Sequence, residues 1–152
     1  MSEKIVAVSG GFDPIHVGHL RMMKQAASHG KLTVIINSDD WLIRKKGYVF
    51  MPWRERAELI SELSCVDCVV EAKDDDRTVC ETLKELRPDI FANGGDRGSH
   101  TTPEAHLCEE LGIELIYDVG GDKIRSSSIL VKEVTEKKRK KDLERFRSQL
   151  AS

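Results

Sequence analysis

Residues 4–37 read KIVAVSGGFDPIHVGHLRMMKQAASHGKLTVIIN, and this stretch decides the fold. KIVAVS (4–9) and LTVIIN (32–37) are continuous apolar runs of strand length, the pattern of strands buried on both faces of a sheet. Between them, VGHLRMMKQAASHG (17–30) carries Leu20, Met23 and Ala27 at helical spacing, with Gly30 placed to cap the C-terminus. Strand, helix and strand within 34 residues make a parallel βαβ unit. Its first connection, SGGFDPIHVGH (9–19), is unusual in composition. Gly10 and Gly11 allow the chain to turn sharply and bring backbone amides close to a ligand, and Pro14 stiffens the approach to the helix. His16 and His19, three residues apart across the helix start, can direct both rings toward the positive end of the helix dipole.

Outward from this unit the alternation continues. SDDWLIRKKGYVFMP (38–52) is polar and punctuated by Gly47 and Pro52, and reads as a mostly irregular loop of binding-loop length. WRERAELISEL (53–63) returns to helical spacing, and DCVVEA (67–72) is a third strand. DRTVCETLKELRP (76–88) is a helix stopped by Pro88, and DIFAN (89–93) a fourth strand leading into GGDRG. TPEAHLCEELG (102–112) has Thr102 to cap it, Pro103 in its first turn and Gly112 past its end. IELIYDV (113–119) is the fifth strand, and a last helix starts near Ser126. The expected fold is Rossmann-like, three-layer α/β/α, with a five-stranded parallel sheet. One domain over 1–132 carries a charged helical tail, 133–152, whose interleaved acids and bases suit a solvated helix.

The chain has 152 residues, 24 basic and 26 acidic. So balanced a charge offers no general field for nucleic acid or an anionic membrane, and any anion site must be local. No apolar run reaches the ~20 residues of a membrane span and the N-terminus lacks signal-peptide character, so a cytoplasmic location is expected. Cys65 and Cys68 form C-x-x-C, but no second pair or nearby histidine completes a zinc site, and the four cysteines read as small core residues.

In an open parallel sheet, ligands bind beyond the carboxyl ends of the strands. The loops there are the polar, glycine-bearing ones: SGGFDPIHVGH, NSDDWLIRKKG, NGGDRG and GGDKIRSSS. Two histidines in the first could pack by hydrogen bonding, ligate a metal or bind phosphate. A helix start favours an anion over a cation, and no third metal ligand stands beside them. Asp13 could shape the loop, cap its turn or act from an outer shell.

GGFDPIHVGHL resembles the phosphate-binding signature of the cytidylyltransferase-like nucleotidyltransferases. INSDDWLIRKKG with PWRERAELI is similar to the segment in which that family places a phosphate-binding lysine and then an arginine. FANGGDR resembles its Gly-Gly-Asp loop, and RSSSIL its hydroxyl segment opening the last helix. The four motifs stand in family order from residue 5 to about 132.

The resemblance implies transfer of a nucleoside monophosphate from a nucleoside triphosphate to a phosphorylated small molecule, releasing pyrophosphate. It implies catalytic roles for His16, His19, Lys46 and Arg56. It implies nucleotide contacts from Gly10, Gly11, Phe12, Asp13 and Gly18, from Asn93, Gly94, Gly95, Asp96 and Arg97, and from Ser126, Ser127 and Ser128. Asp39, Lys45, Lys123 and Arg125 would face the acceptor. An attacking phosphate is already anionic, so no covalent nucleophile is needed, and Mg2+ held mainly by the triphosphate is the expected ion, with no protein metal ligands. Within the family, NSDxxxxRxKG, VDCVV and Gly-Gly-Asp are similar to the heptose-phosphate adenylyltransferases, which favours ATP and a sugar phosphate. The glycerol-phosphate cytidylyltransferases, with CTP, are the alternative, although GGDKIR departs from their pattern. A nucleotide-binding module without activity is a third reading, against which the histidines, Lys46 and Arg56 stand. Small members of the family are commonly homodimers, and the same is expected here.

Overall fold

The computed structural model describes residues 3–74, 78–93, 102–117, 119 and 127–151. Five strands, β1 (Ile5–Gly10), β2 (Lys31–Ile36), β3 (Cys68–Glu71), β4 (Ile90–Ala92) and β5 (Glu114–Ile116), form one parallel sheet in the order β3-β2-β1-β4-β5. Six helices accompany them: α1 (Val17–Ala27), α2 (Asp39–Lys46), α3 (Trp53–Ser61), α4 (Cys80–Leu86), α5 (Pro103–Leu111) and α6 (Ser127–Ala151). The strand order reverses between β1 and β4, which opens a crevice at their carboxyl ends.

Alternation along each strand sorts the apolar side chains to two faces. Val6 and Val8 of β1 join Val34 and Ile36 of β2 beneath Met23 and Ala26 of α1 and Ile60 of α3. Ala7, Ile35 and Phe91 point the other way, under Leu83 of α4 and Leu107 and Cys108 of α5. The three-layer α/β/α arrangement read from the sequence is therefore present. No helix among the described residues is long and apolar enough to cross a membrane.

Local departures from the sequence reading have identifiable causes. The stretch after β2 contains a helix where an irregular loop was expected. Ser38 caps α2 by accepting from Trp41 N at 3.1 Å, Asp39 and Asp40 sit in its first turn, three basic residues in its last, and Gly47 closes it with φ 85°. These are ordinary start and stop signals on eight residues, too short for periodicity to reveal. Gly30 does not cap α1; Ser28 does. Gly30 is needed because a Cβ there would collide with the Lys4 carbonyl, which accepts from Lys31 N at 2.8 Å as the chain enters β2. β5 pairs over three residues, less than the seven-residue apolar run. Helix α4 starts at Cys80, with its amides held from upstream: the Asp74 carboxylate accepts from Glu81 N at 2.7 Å and Thr82 N at 3.2 Å.

The cysteines divide. Cys108 is buried, Cys65 and Cys80 are half-buried against the two cores, and Cys68 is exposed on β3. Burial pushes the Cys108 thiol up to about 11, with the neighbouring Cys80 and Glu104 adding to the effect. The folded chain thus holds this proton more tightly than the unfolded one. Its contribution to stability is complete below the ordinary thiol value of 9.0 and is lost as the pH rises through the folded value. Alkylation near about pH 8 is expected to modify Cys68 first and to spare Cys108 until the chain unfolds, as peptide mapping of iodoacetamide adducts would show.

Candidate active site

The crevice at the carboxyl end of β1 is walled by the chain from Gly11 to His16. The sharp turn expected at the glycines falls on Phe12 instead, whose φ is 52°. A bulky residue in this region is uncommon and is retained only where its surroundings hold it. Phe12 is buried, and its ring meets His19 edge to face, with 4.9 Å between centroids. The two glycines serve this packing. A Cβ on Gly10 would lie 2.9 Å from the Phe12 ring, and one on Gly11 2.9 Å from Leu42 of α2. The Asp13–Pro14 peptide that follows is cis.

His16 is the N-cap of α1, extended at φ −144° and ψ 176°. Its Nδ1 accepts from Gly18 N at 3.1 Å, and Nδ1 of His19 accepts in return from His16 N at 3.2 Å. This is a capping box in which two imidazoles stand where Ser and Glu usually do. A neutral imidazole that accepts at Nδ1 carries its proton at Nε2. The cap therefore sets the tautomer of both rings and makes each Nε2 a donor. The rings stack at 3.8 Å with 22° between their planes, so both donors belong to one surface at the positive end of α1. A phosphate is the ligand such a surface suits.

Asp13 is buried and organises the neighbouring loop. Its carboxylate accepts from the amides of Phe50 and Met51 and lies 3.0 Å from Lys46 Nζ, which also donates to the Asp13 carbonyl at 2.7 Å. Lys46, the last residue of α2, is thereby brought to the histidine loop, with its ammonium 4.7 Å from the centre of the Tyr48 ring. Of the readings of Asp13 left open by the sequence, loop shaping is the one its hydrogen bonds describe.

Arg56 is 1% exposed. Its Nε donates to Met51 O at 2.8 Å, Nη1 to Gly11 O at 2.7 Å and to Asn37 O at 2.8 Å, and Nη2 to Asp39 Oδ1 at 2.6 Å. One guanidinium thus ties the ends of β1 and β2, the loop before α3 and the start of α2. The family resemblance implied a phosphate-holding role for Arg56; in the structure its guanidinium donates to the loops around the crevice. Asp39, expected near the acceptor, is likewise engaged, since Oδ1 also accepts from Trp53 N at 2.9 Å. Lys45 lies over the Trp41 ring at 4.8 Å.

His16 with His19, and Lys46 with Asp13, thus form two contacting pairs on the chain that follows β1, and Arg56 is tied to the same chain through the Gly11 carbonyl. Asn93 follows β4, its amide donating to Ile116 O at 2.7 Å. Gly94, Gly95, Asp96, Arg97, Lys123, Arg125 and Ser126 lie outside the described residues, and Ser127 and Ser128 open α6 with side chains that also lie outside them. Sequence reasoning passed over two polar side chains in this region. Asn37 Oδ1, just past β2, and Trp41 Nε1, beside Gly11, are both buried without a hydrogen-bond partner. Buried polar atoms are rarely left so unless a ligand or water completes them. Their position after a strand end was visible in the sequence, their burial was not. Among the described residues, no three His, Cys, Asp or Glu side chains gather as cation ligands.

Comparison with known proteins agrees with this geometry. Residues 7–129 match the model of the family described as cytidylyltransferase-like. The bifunctional protein HldE of Syntrophotalea carbinolica is 36% identical over 138 residues, 88% of this chain and 27% of that protein. The D-beta-D-heptose 1-phosphate adenylyltransferase of Bordetella bronchiseptica is 35% identical over 112 residues, 71% of this chain and 68% of its own. The chain spans about a quarter of the length of the bifunctional relatives it matches. A solved structure of a lipopolysaccharide core biosynthesis protein from Thermoplasma volcanium superposes with a TM-score of 0.65 at 25% identity, over 76% of this chain and 96% of that one. With its motifs in order, its strand reversal at β1 and β4 and its histidine-capped first helix, the chain belongs to the cytidylyltransferase-like family of nucleotidyltransferases.

Proposed function

We propose that the chain transfers AMP from ATP to a phosphorylated sugar or polyol and releases pyrophosphate. The observation that carries this reading is the reciprocal histidine cap, which presents two Nε2 donors of fixed tautomer at a helix N-terminus. The choice of ATP and a sugar phosphate leans on relatives named heptose 1-phosphate adenylyltransferase and HldE.

An oxygen of the acceptor phosphate attacks the α-phosphorus in line. The new P–O bond forms as the bond from the α-phosphorus to the bridging oxygen breaks, and that electron pair leaves on pyrophosphate. The attacking oxygen carries no proton at neutral pH, so no base is required, and the barrier lies in bringing anions together and spreading charge. His16 and His19 donate from Nε2 to the oxygens on which charge develops. Lys46, held to the histidine loop by Asp13, neutralises charge on the triphosphate. Arg56 keeps these groups in register. Magnesium neutralises the triphosphate when bound. Asp13, the acid of the histidine loop, is committed to two amides and Lys46, and this donor set fits an ion carried chiefly by phosphate oxygens.

The test is a matrix of ATP, CTP, GTP and UTP against heptose 1-phosphate, glycerol 3-phosphate and related phosphates, read as pyrophosphate release with magnesium. ATP with a sugar phosphate is expected to exceed other pairs by at least about tenfold in kcat/KM. A preference for CTP with glycerol 3-phosphate would overturn the substrate assignment, and no release with any pair would overturn the activity.

A further inference from the structure

One side chain of the histidine loop stands on a backbone unsuited to it. Phe12 takes φ 52°, a left-handed conformation that glycine adopts freely and bulky residues rarely do, although Gly10 and Gly11 immediately precede it. A glycine at 12 would make the turn without strain, so something other than the turn retains the ring. The ring is 3% exposed and belongs to the core cluster of Val8, Met23 and Ile36. A ring so enclosed has no face left for a nucleotide.

What the ring does touch is His19. The two rings meet at 85°, with 4.9 Å between centroids, the edge-to-face arrangement that aromatic pairs prefer. His19 shares a face of α1 with the buried Met23 one turn on, and His16 stacks against it at 3.8 Å. The hydrogen bond from His16 N to Nδ1 anchors one atom of the His19 imidazole and leaves the tilt of its plane to whatever packs against it. The direction of Nε2, across the ring, follows from that tilt. Gly10 makes room for the contact, since a Cβ there would lie 2.9 Å from Cζ of Phe12 and 3.1 and 3.3 Å from its two Cε atoms.

We infer that Phe12 is a positioning residue for His19: its strained backbone sets the ring against the imidazole, and the ring fixes where the Nε2 donor points before any substrate arrives. Phe12 then acts on the reaction through His19 and not by touching the nucleotide. A donor already aimed at the oxygen on which charge develops needs no reorganisation in the transition state, so the ring governs turnover and not ground-state binding. This kinetic consequence rests on the proposed nucleotidyl transfer. The orientation of His19 does not, because it is a property of the ligand-free protein.

Imidazole nitrogen resonances of isotopically labelled, ligand-free protein read that orientation. In the wild type His19 is expected as the Nε2–H tautomer with two well-separated nitrogen shifts. Phe12→Leu keeps an apolar side chain without a ring, and should draw the two shifts toward each other as the Nδ1 contact is made only part of the time. With ATP and the acceptor that gives the fastest pyrophosphate release, the same variant should lower kcat on the order of tenfold and leave KM for ATP within about twofold. Gly10→Ala, whose methyl group displaces the ring, should reproduce both changes, and in the Phe12→Leu background it should add little because the atoms it meets are gone. Ile60→Val, elsewhere in the same core, should lower stability with neither change. His19 shifts and a kcat indifferent to Phe12→Leu, a rise in KM for ATP at unchanged kcat, additive losses from Gly10→Ala and Phe12→Leu, or an equal loss of kcat from Ile60→Val would each overturn the inference. A wild-type protein that releases no pyrophosphate would instead overturn the assigned reaction, and the nitrogen shifts would still decide what Phe12 holds in place.

Discussion

Replacing His16 with asparagine is expected to leave the protein folded and to lower its turnover by about a hundredfold or more. Asparagine is among the best N-cap residues, and its side-chain oxygen can take the Gly18 amide that Nδ1 of His16 now accepts. What it cannot supply is the Nε2 donor. His16→Ala removes both functions, so it should show the same loss of turnover together with about 1 kcal/mol of destabilisation from the uncapped helix. Thermal melts and single-turnover pyrophosphate release on the two variants separate the cap from the chemistry. Wild-type turnover in a folded His16→Asn protein would remove the imidazole from the reaction and leave it only a structural role.

The second large effect is on stability. Arg56→Met keeps the bulk of the side chain but strands the carbonyls of Gly11, Asn37 and Met51, which now accept from the guanidinium. Asp39 is 43% exposed at its side chain, so water recovers much of its share, and most of the loss comes from the backbone acceptors. A destabilisation of about 3–5 kcal/mol is expected, a large part of the stability of an ordinary domain. Arg56→Lys should recover little of it, because one ammonium cannot reach four acceptors arranged around a planar fork. Urea unfolding followed by circular dichroism measures both. A loss below about 1 kcal/mol for Arg56→Met would show that the loops hold themselves without the guanidinium.

How much of this was legible in the sequence depends on the range of the interaction concerned. The two buried strands of the first βαβ unit, the capped ends of α5 and the three-layer arrangement follow from local pattern, and so do the histidines, since spacing alone puts them at one helix start. Helix α2 escaped notice because its eight residues hold only three apolar ones, side by side at Trp41, Leu42 and Ile43, and so show no helical period. The work of Arg56 was illegible for a different reason. A guanidinium reaching carbonyls from residues 11, 37 and 51 depends on three backbone segments that only the folded chain brings together. The same holds for Asp13, whose partners lie about forty residues downstream, and for Phe12, where the strained turn sits on the bulky neighbour of the two glycines thought to make it.

The order of the strands also says how the crevice is assembled. Val6 of β1 lies against Leu32 of β2 on one side and Ile90 of β4 on the other. The second closure spans a loop roughly three times longer and costs about 1 kcal/mol more in chain entropy. β1 and β2 are matched over six residues, from Ile5 and Lys31 to Gly10 and Ile36, whereas β1 and β4 are matched over only two. The half that carries both histidines is therefore a short-range unit with most of the pairing, and the other wall of the crevice is added across a long and lightly bonded seam. A ligand bound in that crevice bridges the seam, and its binding energy acts directly on the least secured join in the sheet.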